Sequence, residues 1–238
     1  MAEPQKKLLA SYGRRRGRKL RPAKQGLIDE LLPQLELALE EVAGWRSGKV
    51  VDLFPRHSAT TSPCHLFLEI GFGAGEHLTH QAKLNPNVGI IGCEPYINGV
   101  AALLTHIRDH KLTNIRIHQH DARPLIERLP DACLDKVFIL YADPWPKARH
   151  HKRRLISTEF LDKLARVMKP GAELRLATDD ADYCIWMLEY LLTHGGYSWQ
   201  AKSCKDWLNP PEDWISTRYE QKALKAGRVP TYLNFKRV

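Results

Sequence analysis

The sequence predicts an α/β fold: a doubly wound, mostly parallel sheet of about seven strands, with an antiparallel edge and helices on both faces. Short apolar segments of strand length alternate with segments of helical periodicity over most of the chain. A glycine-rich turn, Gly71–Gly75, lies between the first of these strands and a helix. Two strand-like segments follow the last helix, which favours an antiparallel pair at one edge.

Each element rests on a local pattern. Apolar runs predict strands, apolar residues at every third or fourth position predict helices, and Lys169-Pro170-Gly171 predicts a helix stop. A helical pattern begins at Gln25, and Pro33 within it predicts a kink or a split. The predicted strands are 65–70, 88–93, 114–118, 136–142, 172–177, 197–202 and 231–236, and the helices between them are 76–84, 97–110, 125–129, 158–168 and 181–193.

Length and composition set the class of protein. A chain of 238 residues suits one large domain with extensions. We predict a basic flexible arm over 1–23, a helix and connecting loop over 24–63, and the main domain over 64–238. No apolar run is long enough to cross a bilayer, and the five scattered cysteines form no C-x-x-C pair. We therefore expect a cytoplasmic protein with reduced thiols and no membrane association.

The positive charge is concentrated at the N-terminus. Nine of the 36 lysines and arginines fall within residues 1–26, beside a single acid, Glu3, whereas the whole chain has a net charge of +9. A block of this kind often binds nucleic acid, although a solubilising tail has the same composition. A second basic run at residues 147–154 favours the nucleic-acid interpretation.

The glycine-rich turn predicts a cofactor site. Glycines at 71, 73 and 75 allow a sharp turn and a close approach of ligand to backbone. Glu94 ends the next strand, where a carboxylate can bind a ribose diol. A nicotinamide fingerprint places its third glycine one residue later. Glu69, just before the turn, suits an amine-bearing or cationic ligand better than a pyrophosphate, and this favours S-adenosylmethionine.

The segment Tyr141–Arg154 predicts catalysis beside a nucleic-acid surface. Asp143 follows a strand inside D-P-W-P, where two prolines hold the loop rigid, and Trp145 can stack on a base. Taken alone, a helix-capping aspartate and a core tryptophan explain the same residues. His150 and His151 are adjacent and point in different directions, and no third ligand has a suitable spacing, so we predict no metal site.

These motifs together resemble the bacterial tRNA (guanine-N7-)-methyltransferases. The resemblance rests on A-D-P-W-P-K-A-R-H-H-K-R-R-L, on L-E-I-G-F-G-A-G-E-H-L before it, and on T-D-D and T-R-Y-E-Q after it, and it covers about residues 65–238. It implies a Rossmann-like class I methyltransferase. Such an enzyme transfers a methyl group from S-adenosylmethionine to N7 of a guanosine in the variable loop of tRNA, forming 7-methylguanosine.

The resemblance also implies roles for individual residues, with Asp143 as the active-site acid. The implied cofactor-binding residues are Glu69, Gly71, Gly73, Gly75, Glu94, Asp121 and Asp143. The implied guanosine-binding residues are Lys147, Asp179, Thr217, Arg218, Tyr219 and Glu220. The implied RNA-binding residues are Arg149, His150, His151, Lys152, Arg153 and Arg154. Ala148 stands where a second basic residue is common, and Tyr219 stands where phenylalanine is frequent.

Three other functions stay open on sequence alone. The chain can be an RNA-binding or chaperone protein that keeps the fold without catalysis. It can also be an amino methyltransferase acting on DNA or protein, because D-P-W-P loosely resembles the D-P-P-Y loop. A nicotinamide dehydrogenase is disfavoured by the glycine spacing. The sequence leaves monomer and homodimer equally open.

Overall fold

The computed structural model describes residues 12–45, 49–54 and 63–238, and its centre is a seven-stranded sheet. The strands are β1 (His65–Ile70), β2 (Val88–Cys93), β3 (Ile115–His118), β4 (Leu134–Leu140), β5 (Met168–Thr178), β6 (Tyr197–Trp199) and β7 (Thr231–Arg237). Their order in the sheet is β3-β2-β1-β4-β5-β7-β6. Pairs among the first five strands are parallel, whereas β7 runs antiparallel to both β5 and β6. The predicted fold class and its antiparallel edge are confirmed.

Helices cover both faces of the sheet and enclose two apolar cores. The helices are α1 (Pro22–Glu30), α2 (Leu32–Leu35), α3 (Leu39–Gly44), α4 (Glu76–Leu84), α5 (Ile97–His110), α6 (Ala122–Arg128), α7 (Thr158–Val167), α8 (Ala181–Thr193), α9 (Lys205–Leu208) and α10 (Arg218–Lys225), with 3₁₀ helices at Val50–Leu53 and Ala148–Arg153. One core includes Leu161 of α7 and Tyr183 of α8, and the other includes Leu78 of α4 and Leu103 of α5.

The differences from the predicted boundaries have local causes. The split predicted at Pro33 is confirmed: α1 ends at Glu30 and Pro33 lies in the first turn of α2, where its missing N–H costs nothing. Helix α6 begins at Ala122, three residues early, because Asp121 caps it. Strand β5 begins directly after α7, so the predicted stop at Lys169–Gly171 lies inside a strand. The long polar loop after β6 contains two helices that were not predicted, α9 and α10.

Part of the predicted arm lies along the main domain. Residues 1–11 are outside the described residues, as are 46–48 and 55–62 of the predicted connecting loop. The backbone N–H of Ile97 donates to the carbonyl oxygen of Arg15 at 3.1 Å. Asn98 accepts from the N–H of Gly17 at 2.8 Å and donates to the carbonyl of Arg18 at 2.7 Å. These bonds hold the backbone of this segment to the start of α5, while its arginine side chains stay exposed.

In the described part of the chain, no helix is both long and apolar enough to cross a membrane.

Candidate active site

The glycine turn joins β1 to α4 in a conformation that other residues rarely adopt. Gly71, Gly73 and Gly75 have φ angles of 75°, 59° and 82°, values that would strain any residue with a Cβ. Helix α5 also approaches closely, because a Cβ on Gly99 would lie 2.1 Å from the carbonyl oxygen of Gly73. The turn therefore presents bare backbone at the carboxyl edge of the sheet, as predicted.

Glu94, just beyond β2, is tied to this turn. Its carboxylate accepts from the backbone N–H of Gly73 at 2.8 Å and from that of Tyr96 at 2.9 Å. Burial raises the pKa of Glu94, the two N–H groups oppose this rise, and the negative charges of Asp143 and Glu69 add to it. Three acids predicted to share a site are thus close enough to influence one another.

Asp121, beyond β3, lines the same site but already has a partner. It accepts from the backbone N–H of Arg123 at 2.9 Å and from the guanidinium Nη2 at 2.6 Å. Burial pushes the pKa of Asp121 up, but the bonds and charge of Arg123 outweigh it and hold the pKa below its ordinary value. Asp121 and Asp143 line one cavity of about 130 Å³, together with Tyr12 and Trp145.

Asp143 lies on a backbone with two residues in the left-handed region. Tyr141 has φ of 55° and Trp145 has φ of 47°, which is uncommon for residues with side chains and tends to occur at functional sites. The Asp143 side chain reaches the surface of the cleft. Neighbouring protein atoms nevertheless displace enough water to raise its pKa. Among the described residues, no donor forms a hydrogen bond with its carboxylate.

Trp145 is covered by cationic and aromatic neighbours. The guanidinium carbon of Arg153 lies 5.0 Å from the centre of the Trp145 ring system and 4.6 Å from that of Tyr12. Tyr12 meets Trp145 edge to face, with ring centres 6.3 Å apart. The N-terminal segment therefore reaches the loop that carries Asp143. A base can stack on Trp145 only where these neighbours leave the ring open.

The basic run forms a short 3₁₀ helix whose members differ in exposure. Lys147, Arg149 and Lys152 are exposed, whereas the two histidines are half-buried. His150 packs against Trp145 and His151 packs against Trp186, with ring centres 5.9 and 5.4 Å apart. Within the described ranges, no group of three or more His, Cys, Asp or Glu side chains is placed to hold a metal ion.

Arg154 differs from the rest of this run. It is only 5% exposed, and its guanidinium pairs with Asp182 and donates through Nε to the carbonyl of Pro144 at 2.8 Å. It also lies over the ring of Trp186 at 4.7 Å. These bonds fix the loop directly after Asp143 to α8. The Arg154 side chain is therefore bound by partners within the protein and is not available to bind RNA phosphates.

The run Thr217–Glu220 begins α10 and lies over the glycine turn. Thr217 caps the helix by accepting from the N–H of Glu220 at 3.3 Å. Arg218 pairs with Glu76, the first residue of α4, at 2.6 Å. Tyr219 covers the turn so closely that a Cβ on Gly73 would lie 2.8 Å from its Cε2 atom. These interactions bring the start of α10 to the glycine turn, although Arg218 and Glu76 are 142 residues apart in sequence.

Two further predicted residues bond within the protein. Glu220 is 4% exposed and accepts from Trp214 Nε1 at 2.7 Å and from the Tyr232 hydroxyl at 2.6 Å. Asp179, beyond β5, pairs with Arg228 at 2.6 Å. Sequence reasoning missed the partners Trp214, Tyr232 and Arg228. No local motif marks them, although the T-x-x-E pattern at Thr217 is a capping signal that predicts α10.

The chain is similar to known methyltransferases over nearly its whole length. A family model described as "Putative methyltransferase" matches residues 64–232. A Ruegeria sp. (strain TM1040) protein named tRNA (guanine-N(7)-)-methyltransferase is 49% identical over 229 residues, covering 95% of this chain and 87% of the relative. A Roseobacter denitrificans protein of the same name is 48% identical, covering 95% of each. A crystal structure of a 16S rRNA methyltransferase has a TM-score of 0.54 at 17% identity, covering 78% of this chain and 91% of that one, which shows the fold alone.

Proposed function

Because the chain belongs to the tRNA (guanine-N7-)-methyltransferase family, we propose that it methylates N7 of a guanosine in tRNA with S-adenosylmethionine as the methyl donor. The expected product is 7-methylguanosine, and the expected target is a guanosine of the variable loop. The proposed place of action is the cytoplasm, where tRNA is found.

One observation carries the proposal: four carboxylates lie at the carboxyl ends of four neighbouring parallel strands. In sheet order these are Asp121, Glu94, Glu69 and Asp143, at the ends of β3, β2, β1 and β4. Ligands of open α/β sheets bind at this edge. Burial raises the pKa of Glu94, and the charges of Asp143 and Glu69 add to this rise, as expected for neighbouring carboxylates.

The donor and acceptor groups suit S-adenosylmethionine, which supplies the methyl group when bound. Glu94 offers carboxylate oxygens for a ribose diol, and Glu69 offers one for an ammonium group. Asp121 is proposed to face the adenine, with its charge moderated by Arg123. Gly71, Gly73 and Gly75 allow the ligand to approach the backbone.

Asp143 is proposed to act by charge and position. Guanine N7 is an unprotonated acceptor, so no base has to remove a proton before it attacks. The purine gains positive charge as the methyl group arrives, and a fixed carboxylate beside the ring stabilises that charge. Lys147, Asp179 and the run Thr217–Glu220 are proposed to hold the guanosine in line for attack. Glu220 and Asp179 bond to other side chains in this structure. In this proposal they act on the guanosine either through those neighbours or after giving up those bonds.

The RNA surface is proposed to comprise the exposed cations of the basic run and of the N-terminal segment. Arg149 and Lys152 are exposed, whereas Arg153, which lies against Tyr12, is half-buried, as are His150 and His151, which complete the proposed surface. A cavity of about 920 Å³ is lined by Arg15, Arg16, Arg18 and Lys19, and it shares Asp121 with the smaller cavity that Arg153 lines. Such cations hold phosphates without regard to sequence.

The deciding experiment locates the methyl group. The protein is incubated with unmodified tRNA and S-adenosylmethionine labelled in its methyl group, and the tRNA is digested to nucleosides. We expect the label in 7-methylguanosine. Binding of tRNA without transfer would favour a non-catalytic RNA-binding protein, and label in an exocyclic amine would favour the amino-methyltransferase alternative.

The decrease of kcat at acid pH, the acid limb of the pH profile, should reflect protonation of Asp143. Because protein atoms around it raise the pKa of Asp143 above the ordinary 3.8, the carboxylate forms, and kcat rises, at a pH above that value. We expect kcat at saturating substrates to fall as pH decreases through this raised pKa. Asp143→Asn should remove this limb; a limb that persists unchanged in the variant would assign it to another group.

The arginines of the N-terminal segment should contribute to the salt dependence of tRNA binding. We expect Arg14→Gln with Arg16→Gln to flatten the slope of log K against log salt by about 0.7–0.9 for each phosphate that the variant no longer neutralises. The matched control is Lys83→Gln with Arg108→Gln, which removes two exposed cations near the opposite edge of the sheet. Equal slopes of log K against log salt in the two double variants would indicate that the segment acts only as a solubilising tail.

A further inference from the structure

Glu69 and His77 form a buried pair beneath the glycine turn. Both residues are 2% exposed, and His77 Nδ1 lies 2.7 Å from Glu69 Oε2. Glu69 is the next-to-last residue of β1 and His77 is in the first turn of α4. A carboxylate can only accept, so the imidazole carries its proton on Nδ1 and donates it to Glu69.

The imidazole has no other polar partner. Its Nε2 atom is buried and forms no hydrogen bond within the described ranges. The ring instead packs against Phe138, with centres 4.7 Å apart, and against Trp214, with centres 5.4 Å apart. Buried polar atoms usually have partners, because leaving one unpaired costs free energy. Among the described residues, the bond from Nδ1 to Glu69 is thus the one hydrogen bond of this imidazole.

That bond fixes one oxygen of Glu69 and leaves the other available. Oε2 accepts from His77, whereas Oε1 accepts no hydrogen bond from the described part of the chain. A carboxylate on a flexible side chain otherwise samples several rotamers, and ordering it costs free energy when a ligand binds. A ligand that meets an already fixed oxygen avoids that cost.

We propose that His77 is a positioning residue for the ammonium group of the amino-acid part of the methyl donor. It holds Glu69 so that Oε1 accepts from that ammonium; this rests on the proposed function, which places S-adenosylmethionine in the site. The aromatic packing of His77 on Phe138 and Trp214 sets the direction of the Nδ1–H bond. Because the bond involves Glu69 alone, its loss affects affinity for the amino-acid part and not for the adenosine part.

The test compares two ligands that differ in that part. S-adenosylhomocysteine carries the ammonium, whereas 5′-methylthioadenosine lacks the whole amino-acid portion, and calorimetry gives Kd for each. His77→Phe keeps a ring between Phe138 and Trp214 without the donor. We expect it to weaken S-adenosylhomocysteine about tenfold, the size of one hydrogen bond to a charged group, and to leave methylthioadenosine unchanged. His77→Asn, which places an N–H donor near the position of Nδ1, should recover most of the loss.

Two further variants keep the result interpretable. Glu69→Gln should show at least this selective loss, because it removes the charge that meets the ammonium. Adding His77→Phe to it should cost little more, since His77 acts only through Glu69. His80→Phe makes the same change on the same helix without a hydrogen bond to Glu69, and should bind both ligands as the unchanged protein does.

The outcomes separate this proposal from the function on which it rests. Equal weakening of both ligands by His77→Phe, or no weakening of either, overturns the positioning role. If the unchanged protein binds neither ligand, the proposed function fails and the role of His77 fails with it. If Asn is as weak as Phe while both variants melt normally, donation by Nδ1 is excluded.

Discussion

Replacing Asp143 with alanine is expected to lower kcat by about 10²–10³-fold, the usual effect of removing one group that stabilises transition-state charge. The carboxylate accepts no hydrogen bond from the described residues, so its removal leaves no protein donor unpaired. Asp143 follows β4 at the carboxyl edge of the sheet, and its charge adds to the burial that raises the pKa of Glu94. Single-turnover rates with saturating tRNA and cofactor measure the effect on chemistry directly.

Charge and shape are separated by a second change at the same position. Asp143→Asn keeps the shape but loses the negative charge, so its kcat should fall nearly as far as that of the alanine variant. Affinity for tRNA should be unchanged in both, because Asp143 does not bind a phosphate. Asp109→Ala, which removes an exposed carboxylate paired with its neighbour Arg108, is the matched control. Near-normal turnover by the asparagine variant would remove electrostatic stabilisation from the mechanism.

Replacing Arg116 with alanine is expected to destabilise the protein by about 3–5 kcal/mol, because three carbonyls lose their donor at about 1–3 kcal/mol each. Arg116 is 6% exposed on β3 and donates to the carbonyls of Leu35, Glu36 and Leu53 and to both oxygens of Glu41. Its removal leaves those carbonyls without their donor and Glu41 without its partner. For a chain of this size the melting temperature should fall by about 6–20 °C.

A lysine at the same position tests the geometry of the guanidinium. Arg116→Lys keeps the charge but offers fewer donors from a single point, so its melting temperature should lie between those of the alanine variant and the unchanged protein. Arg128→Ala removes an exposed arginine that donates to one carbonyl, and should shift the melting temperature little. An alanine variant at 116 that melts within about 2 °C of the unchanged protein would show that this network adds little net stability.

The Arg116 network also shows what joins the residues before β1 to the sheet. The bonds from Arg116 reach residues 63 to 81 positions earlier in the chain. His118 adds a hydrogen bond of 3.1 Å to the carbonyl of Leu37. A helix and connecting loop are predicted over 24–63 as a separate region before the main domain. We propose that the described part of this region, residues 24–45 and 49–54, folds together with the main domain. Hydrophobic periodicity could not reveal this, because it reports which face of a helix is buried and not its partner.

The positions of some candidate site residues were predictable because their signal is local. The turn needs positive φ at Gly71, Gly73 and Gly75, and glycine provides it with little strain. Glu94 and Asp121 follow strands whose apolar runs are visible in the sequence, and parallel strands bring their carboxyl ends to one edge. Asp143 follows from the same rule. Each of these inferences needs only the local pattern and the order of elements.

For other residues, the structure changes the interpretation because their partners are distant in sequence. Arg154 reads as one more cation in a basic run, yet it is buried against α8 and holds the loop after Asp143. The family resemblance implies that Glu220 faces the substrate, yet the structure shows it bonded to Trp214 and Tyr232. His77 lies inside the motif L-E-I-G-F-G-A-G-E-H-L but has no predicted role there, and only the fold places its Nδ1 against Glu69.

The sequence by itself determined the doubly wound sheet, the glycine turn, the row of acids at the strand ends and the family to which they belong. It could do so because periodicity, chain order and backbone conformation are local properties that neighbouring residues encode. Only the tertiary structure decided which charges are free to meet a ligand and which are used to hold the protein together. That division depends on burial and on partners far away in the chain. A charge removed from water needs an opposite charge or hydrogen bonds, and these come from residues that only the fold brings close.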